Sequence, residues 1–384
     1  MIGRTSCLLA IALASASVCV HPAAAAAQEV ATPAAPIAKF VPRPSGAATK
    51  FDFEHWDKAL RFFVLDQGPS LRQVATQPQA SIGTRLTYGQ KSQYRLEGNR
   101  VTFSMLDKDV IQTLTEYRKD LERIGTEIDI ASLPRNEQLA YWINLHNVAV
   151  IEQIAQNYPV RWPERLMIDG VKMDDARFLN VAGVALSPKD IRTRIVYPNW
   201  TDGRVIYGFF RGEIGGPSIQ SGAYTGDNVA NLLNFSGNEF VNSLRGVQSR
   251  GDALWVSQIY EEARPFYFKN WEADLRAHLD RFAEEPVQKI LAETRGVDAS
   301  LYEADIADLA GGESEPFYSN VESCAAAPGG GLGDCSPVET RIPLNVQRAV
   351  QERNAKINEL IKERRLGRVT IGDVGPDGKP AEVE

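Results

Sequence analysis

Residues 136–157 constrain this chain more than any other stretch. Apolar side chains recur at three- and four-residue spacing through Leu139, Trp142, Ile143, Leu145, Val148, Val150 and Ile151, which reads as a helix apolar nearly all round. Such a helix has no face to offer water and must lie inside a core. It nevertheless carries Asn144, His146 and Asn147. A buried amide left without a partner costs about 1–3 kcal/mol. Asn144 and Asn147, three residues apart, share a face and either tie neighbouring loop backbone to the helix or line a cavity. His146 points elsewhere on the wheel, where a packed, hydrogen-bonded imidazole competes with a base or ligand. Glu137 falls in the first turn, where the helix dipole favours a carboxylate.

Around this helix the pattern is mixed. Helical spacing recurs over residues 53–64, 107–124, 227–244 and 271–282. Ser187, Pro188 and Asp190 set an N-cap, a first helical proline and a first-turn acid. Residues 177–181 and 184–186 read as a hairpin turning at Ala182 and Gly183, and residues 204–210, apolar on both faces, as a central strand covered on both sides. The expected fold is α/β or α+β, a helix-rich N-terminal half packed on a small, mostly antiparallel sheet after Met167. A C-terminal amphipathic helix over residues 344–366 carries Val346, Val350, Ile357 and Leu360 or Ile361 on one stripe. It packs on its own domain or offers a surface for self-association.

The N-terminus has the order of a secretory signal: Arg4, an apolar run over residues 7–20, then the small-residue tract 23–27. The run falls short of the roughly 20 residues a bilayer span needs. Cleavage is expected after Ala27, with lipidation at Cys19 a weaker alternative because Val18 is branched. The expected organisation is a signal peptide at 1–27, an Ala/Pro-rich spacer at 28–50, a globular domain at 51–310, a Gly-rich loop at 311–341, and a helix and tail at 342–384. Removing the signal takes Arg4 and no acid, shifting the formal charge from −7 to −8. That acidic balance, without a basic stripe, argues against nucleic acid. Of the four cysteines, Cys324 and Cys335 remain, and a periplasmic or secreted address makes a disulfide their natural use. His55, His146 and His278 are too scattered for a metal site, and no dinucleotide or P-loop fingerprint is present, so no metal and no cofactor is expected.

The run Glu137-Gln138-Leu139-Ala140-Tyr141-Trp142-Ile143-Asn144, extended by Asn147 and by Asn157-Tyr158-Pro159-Val160, resembles the hallmark of the domain-of-unknown-function 547 family. The order of Leu186-Ser187-Pro188-Lys189-Asp190-Ile191, Asp202-Gly203-Arg204-Val205 and Ala223-Tyr224-Thr225 agrees, and the resemblance spans roughly residues 52–290. It implies a turn bearing two cysteines after the central strand, and a histidine within that strand. Here the frame survives in Gly212 and Pro217, but Arg211 and Gly216 stand where the cysteines would be and Ile206 where the histidine would be. A thiol nucleophile at that turn is therefore not available to this chain.

Two functional expectations follow. The first is an exported binding or structural protein of the cell envelope, meeting an unknown small molecule or protein through the loop 211–224 beside Asn144 and Asn147. Arg211 would fork onto a carboxylate or phosphate, or else pair with Glu213 or another acid. Glu213, His146 and Tyr224 complete the candidate ligand-binding set. The second is a hydrolase or acyl-transfer enzyme, which needs His146 or Glu213 within reach of a nucleophile. Ser218 is the nearest candidate, and no G-x-S-x-G elbow surrounds it.

Overall fold

The computed structural model describes residues 36–44, 49–77, 89–313, 321–326, 332–338 and 343–365, with 321–326 and 332–338 given through their backbone. The signal peptide, most of the spacer and the C-terminal tail lie outside the described residues. The helices are α1 (Glu54–Phe63), α2 (Lys108–Glu127), α3 (Arg135–Gln156), α4 (Pro188–Asp190), α5 (Tyr197–Asn199), α6 (Val229–Val241), α7 (Ile259–Tyr267), α8 (Trp271–Asp280), α9 (Glu285–Glu293) and α10 (Leu344–Lys362). The strands form ribbons. β1 (Val64–Leu65) pairs with β2 (Arg100–Val101), β3 (Met167–Ile168) with β4 (Val171–Lys172), β5 (Leu179–Val181) with β6 (Val184–Leu186), and β10 (Val321–Ala326) with β11 (Leu332–Val338), all antiparallel. A three-stranded sheet joins β7 (Val247–Arg250), β8 (Ala253–Ser257) and β9 (Arg295–Leu301), the last pair parallel. The class is mixed α/β as the patterning implies, with its antiparallel strands spread over several short sheets.

α3 is the axis of the core. Every residue from Glu137 to Glu152 is buried on it. α2 lies along it, held by the Tyr141 hydroxyl donating to the Leu121 carbonyl at 2.8 Å and by the buried Arg118–Glu152 ion pair. α2 begins where Asp107 caps the Val110 N–H, a local reason for the helix to start there. The β5–β6 hairpin turns at Ala182 and Gly183, both at positive φ (49° and 77°), the backbone of a tight two-residue turn.

The segment 188–199 decides where the site sits. Ser187 caps the Asp190 N–H while Asp190 returns a bond to the Ser187 N–H, and α4 starts from that box. It then widens into a π turn at Ile191–Val196 before resuming as α5. Pro198 has no N–H to give back to the preceding turn, which favours such a local change of pitch. Arg192 lies inside the widened turn.

One expectation is corrected. Residues 204–210 do not form a strand: Gly203–Gly208 is a 3-10 helix started by Asp202 capping the Arg204 N–H at 2.9 Å, and Phe209 follows extended. All are buried, and a short run buried on every side carries no period by which strand and helix can be told apart. Within the expected spacer, Ile37–Phe40 forms a 3-10 turn whose Phe40 ring meets Trp142 edge-on at 5.0 Å. The Gly-rich loop contains the β10–β11 ribbon. α10 packs on its own chain: Val346 and Leu360 are buried, and Arg348, Arg353, Lys356 and Arg365 donate to backbone carbonyls of residues 66–96.

Candidate functional site

The two asparagines of α3 spend both ends of their amides on loop backbone. Asn144 donates to the Tyr224 carbonyl at 2.7 Å and accepts from the Tyr224 N–H at 3.2 Å. Asn147 donates to the Gly208 carbonyl at 2.9 Å and accepts from the Phe210 N–H at 3.0 Å. Of the two roles the sequence left open, the structure shows the tie. Tyr224 is brought to α3 by its backbone alone; its hydroxyl meets Ser236 on α6 at 3.3 Å.

His146 opens onto a charge cluster centred on Arg192. The fully buried guanidinium donates twice to Asp174, at 2.7 Å each, and twice to Glu262, at 3.0 Å each. Its Nη1 also donates to His146 Nε2 at 2.9 Å. All five N–H groups thus have acceptors. Because arginine only donates, His146 Nε2 must be the accepting nitrogen, and Nδ1 carries the proton to Asn147 Oδ1 at 3.0 Å. Burial and the neighbouring Arg192 charge pull the imidazole down to about 3, so it stays neutral at physiological pH. Asp174 and Glu262 are held well below the ordinary carboxylate range by Arg192 and Arg211 against the cost of burial, Glu262 at about 2.

Arg211 joins the rim of this cluster, its Nη2 on Glu262 Oε1 at 2.6 Å. Among the described residues its buried Nε has no hydrogen-bond partner. The buried hydroxyl of Tyr197 lies beside the same guanidinium. Asp174, the outermost member, has a side chain 40% exposed, so the cluster reaches solvent on that side. Glu213 does not pair with Arg211; it accepts from the Tyr302 hydroxyl. Burial pushes its carboxyl up to about 8, with Arg211 opposing and Glu164 and Asp174 adding to the rise, so at neutral pH it is largely protonated.

The loop 211–224 is not an open surface. Residues 212–220 are buried under the segment 302–308: the Ile214 N–H donates to Asp305, the Gly215 N–H to Glu303, and Glu213 bridges Ile306. A Cβ on Gly215 would stand 2.4 Å from the Glu303 nitrogen, so the glycine serves the approach of another backbone. Gly212, at φ 84°, turns the chain against Ile154. Ser218 lies in a different network, donating to Glu239 at 3.0 Å and accepting from Arg245 and the Asn99 N–H. Neither His146 nor Glu213 is among its partners.

Of the sequence candidates, the structure therefore gathers Arg211, Glu213 and His146 around one cluster and uses Asn144, Asn147 and Tyr224 as its scaffold. The sequence reading missed Arg192, Asp174, Glu262, Tyr197 and Tyr302. One signal was present: Arg192 sits among Ile191, Ile195 and Val196, and a charge on a buried stripe requires acids to meet it. Those acids lie 18 and 70 residues away, with no local trace.

Fold and site together define a mixed α/β domain wrapped round a buried polar-threaded helix, with an arginine-centred charge cluster at one side and no metal-binding group of acids, histidines or cysteines among the described residues. Residues 130–241 match the family described as "Protein of unknown function, DUF547", which supports the assignment of this domain to that family. The match runs from the turn before α3 to the end of α6, so it contains Asp174, Arg192 and Arg211 while Glu262 and Tyr302 come from beyond it. No curated protein and no solved structure matches the chain.

Proposed function

We propose that this protein is an exported binding or structural protein of the cell envelope, periplasmic or secreted after loss of residues 1–27, whose DUF547 scaffold carries an arginine recognition rim in place of a catalytic turn. The observation that carries this reading is the contrast between two neighbouring guanidiniums. Arg192 has every N–H satisfied, while Arg211 commits Nη2 to Glu262 and, among the described residues, leaves Nε without an acceptor. An unpartnered buried donor costs about 1–3 kcal/mol, which an incoming oxygen acceptor would recover. A carboxylate or phosphate matches the guanidinium fork. The absence of a nucleophile beside His146 among the described residues, and the engagement of both imidazole nitrogens, support binding over acyl transfer.

The test is a thermal-shift screen of carboxylate- and phosphate-bearing metabolites on mature protein from the exported fraction, run beside Arg211→Ala. A ligand that raises the melting temperature of the parent and not of the variant supports the rim. One whose effect survives the substitution removes Arg211 from the reading. Export itself makes two further demands: an N-terminus at Gln28, and no free thiol in the mature chain. The β10–β11 register sets Cys324 opposite Cys335, which favours a disulfide between them. Two titratable thiols in protein taken from the exported fraction would contradict it.

A further inference from the structure

The run Ser187-Pro188-Lys189-Asp190 does more than start α4. Together with the chain 175–177 and the π turn it lines a cleft of about 460 Å³. Arg192 is buried on that turn, whereas Thr193 and Arg194 line the cleft. The two walls are pinned by the Lys189 N–H, which donates to the Asp174 carbonyl at 3.0 Å. Asp190, 6% exposed, joins them a second time. Its Oδ2 accepts from Arg177 Nε at 2.8 Å and from the Ser187 N–H at 3.2 Å, and its Oδ1 from Arg194 Nη1 at 3.0 Å. One buried carboxylate thus orients two arginines from opposite walls. Among the described residues, Arg177 makes no hydrogen bond through Nη1 or Nη2, and Arg194 none through Nε or Nη2. Their side chains are 56% and 34% exposed, so a solute can reach these donors.

We propose that this cleft binds the phosphate group of a phosphomonoester, forked between Arg177 and Arg194, with its organic part against Ala176 and the exposed Val171. The sign of the ligand follows from what the lining has left to give. Both acids are already engaged, Asp190 by the two arginines and Asp175 by Lys189 at 2.9 Å, so an incoming cation finds no free carboxylate. With every group ionised, Arg177, Lys189 and Arg194 outnumber Asp175 and Asp190. The pairing of the arginines selects the shape. One guanidinium fork fills both oxygens of a carboxylate, whereas the three free oxygens of a phosphomonoester accept from two forks. Without ligand these donors are hydrated, so affinity comes from orientation. Asp190 has already ordered both side chains, which lowers the entropy lost on binding. A soluble phosphate ester and the headgroup of a phosphatidate lipid share this chemistry.

The experiment is calorimetric titration of the full mature chain with glycerol phosphate and, separately, acetate, beside co-sedimentation with phosphatidylcholine vesicles carrying phosphatidate. Glycerol phosphate is expected to bind saturably and to tighten between about pH 5 and 7.5, as its second ionisation completes. Arg177→Gln and Arg194→Gln should each weaken it about tenfold, the worth of a hydrogen bond to a charged group, and the double variant should abolish binding. Lys189→Glu changes an exposed side chain and turns the excess of cations into an excess of carboxylates. It should weaken binding several-fold with both arginines in place, and it remains readable if an arginine variant fails to fold. Binding of the vesicles alone, lost in the same variants, assigns the phosphate to a lipid, and binding of the soluble ester alone assigns it to a solute. No binding of either, acetate bound as tightly as glycerol phosphate, or full binding by the double variant or by Lys189→Glu would overturn the proposal. Arg211→Ala leaves the cleft intact, so a phosphate ester kept by that variant and lost on Arg177→Gln/Arg194→Gln separates this site from the arginine rim.

Discussion

Two buried charge networks lie in this molecule, and they differ in how completely they are closed. Around Arg192, one guanidinium meets Asp174, Glu262 and His146 with nothing left over. Under α10, Glu97 keeps an oxygen without a partner among the described residues, and burial draws Lys356 to a lowered pKa. Burying a charge is expensive, and only pairing with full hydrogen bonding offsets it. The first network therefore reads as a device that fixes α3, the π turn and α7 relative to one another. The second is less completely closed and carries part of that cost uncompensated.

The sharpest way to break this comparison is Arg192→Met. Removing the guanidinium strands Asp174 and Glu262 and leaves His146 Nε2 without a donor. The expected loss is about 3–5 kcal/mol, the usual result of breaking a buried ion pair from one side. Urea denaturation followed by circular dichroism reads it. Lys356→Met forfeits two bonds to carbonyls and removes a poorly compensated charge, so it should cost about 1 kcal/mol or less. Equal losses in the two variants would mean that the networks do not differ in closure.

The pH dependence sharpens the comparison from another side. Glu213 keeps its proton in the folded state up to about 8, whereas the unfolded chain releases it near 4.5. The folded state thus holds more protons in that window, and its stability falls as pH rises from 4.5 to 8, by at most about 1.4 kcal/mol per pH unit. Glu213→Gln should flatten that decline in urea midpoints measured between pH 5 and 8. His146 has the opposite sign. The unfolded imidazole takes up a proton below 6.5 while the folded one resists it down to about 3, so stability falls as pH drops through that range. His278, bonded to Tyr207 at 2.8 Å and likewise lowered to about 3, adds to the acid side.

The same contrast explains what the sequence could disclose. α3 was legible because its apolar positions run all round the wheel, and the asparagine ties because buried amides must be answered. The Ser187 cap and the Ala182-Gly183 turn were legible because their causes are local. Arg192 was passed over although its partners make the site, since Asp174 and Glu262 come from other elements and only folding brings them together. Residues 203–208 deceived the reading for a related reason: a segment buried on every side shows no period. For the loop 211–224 the glycines left open whether a ligand or another backbone would approach, and here Gly215 admits the backbone of Glu303.

The smallest stability effect is expected at Arg211, and it separates the rim from the network behind it. Arg211→Ala removes one bond to Glu262, which still receives two from Arg192. It also removes a buried Nε that had no acceptor, so loss and gain partly cancel and the net change should stay within about 1 kcal/mol. Measured beside Arg192→Met in the same urea titration, a near-neutral Arg211→Ala would place the rim outside the structural framework and leave Arg211 free for recognition. A loss as large as that of Arg192→Met would make Arg211 a structural member of the cluster, and the idea of a rim held in reserve for a ligand would fall with it.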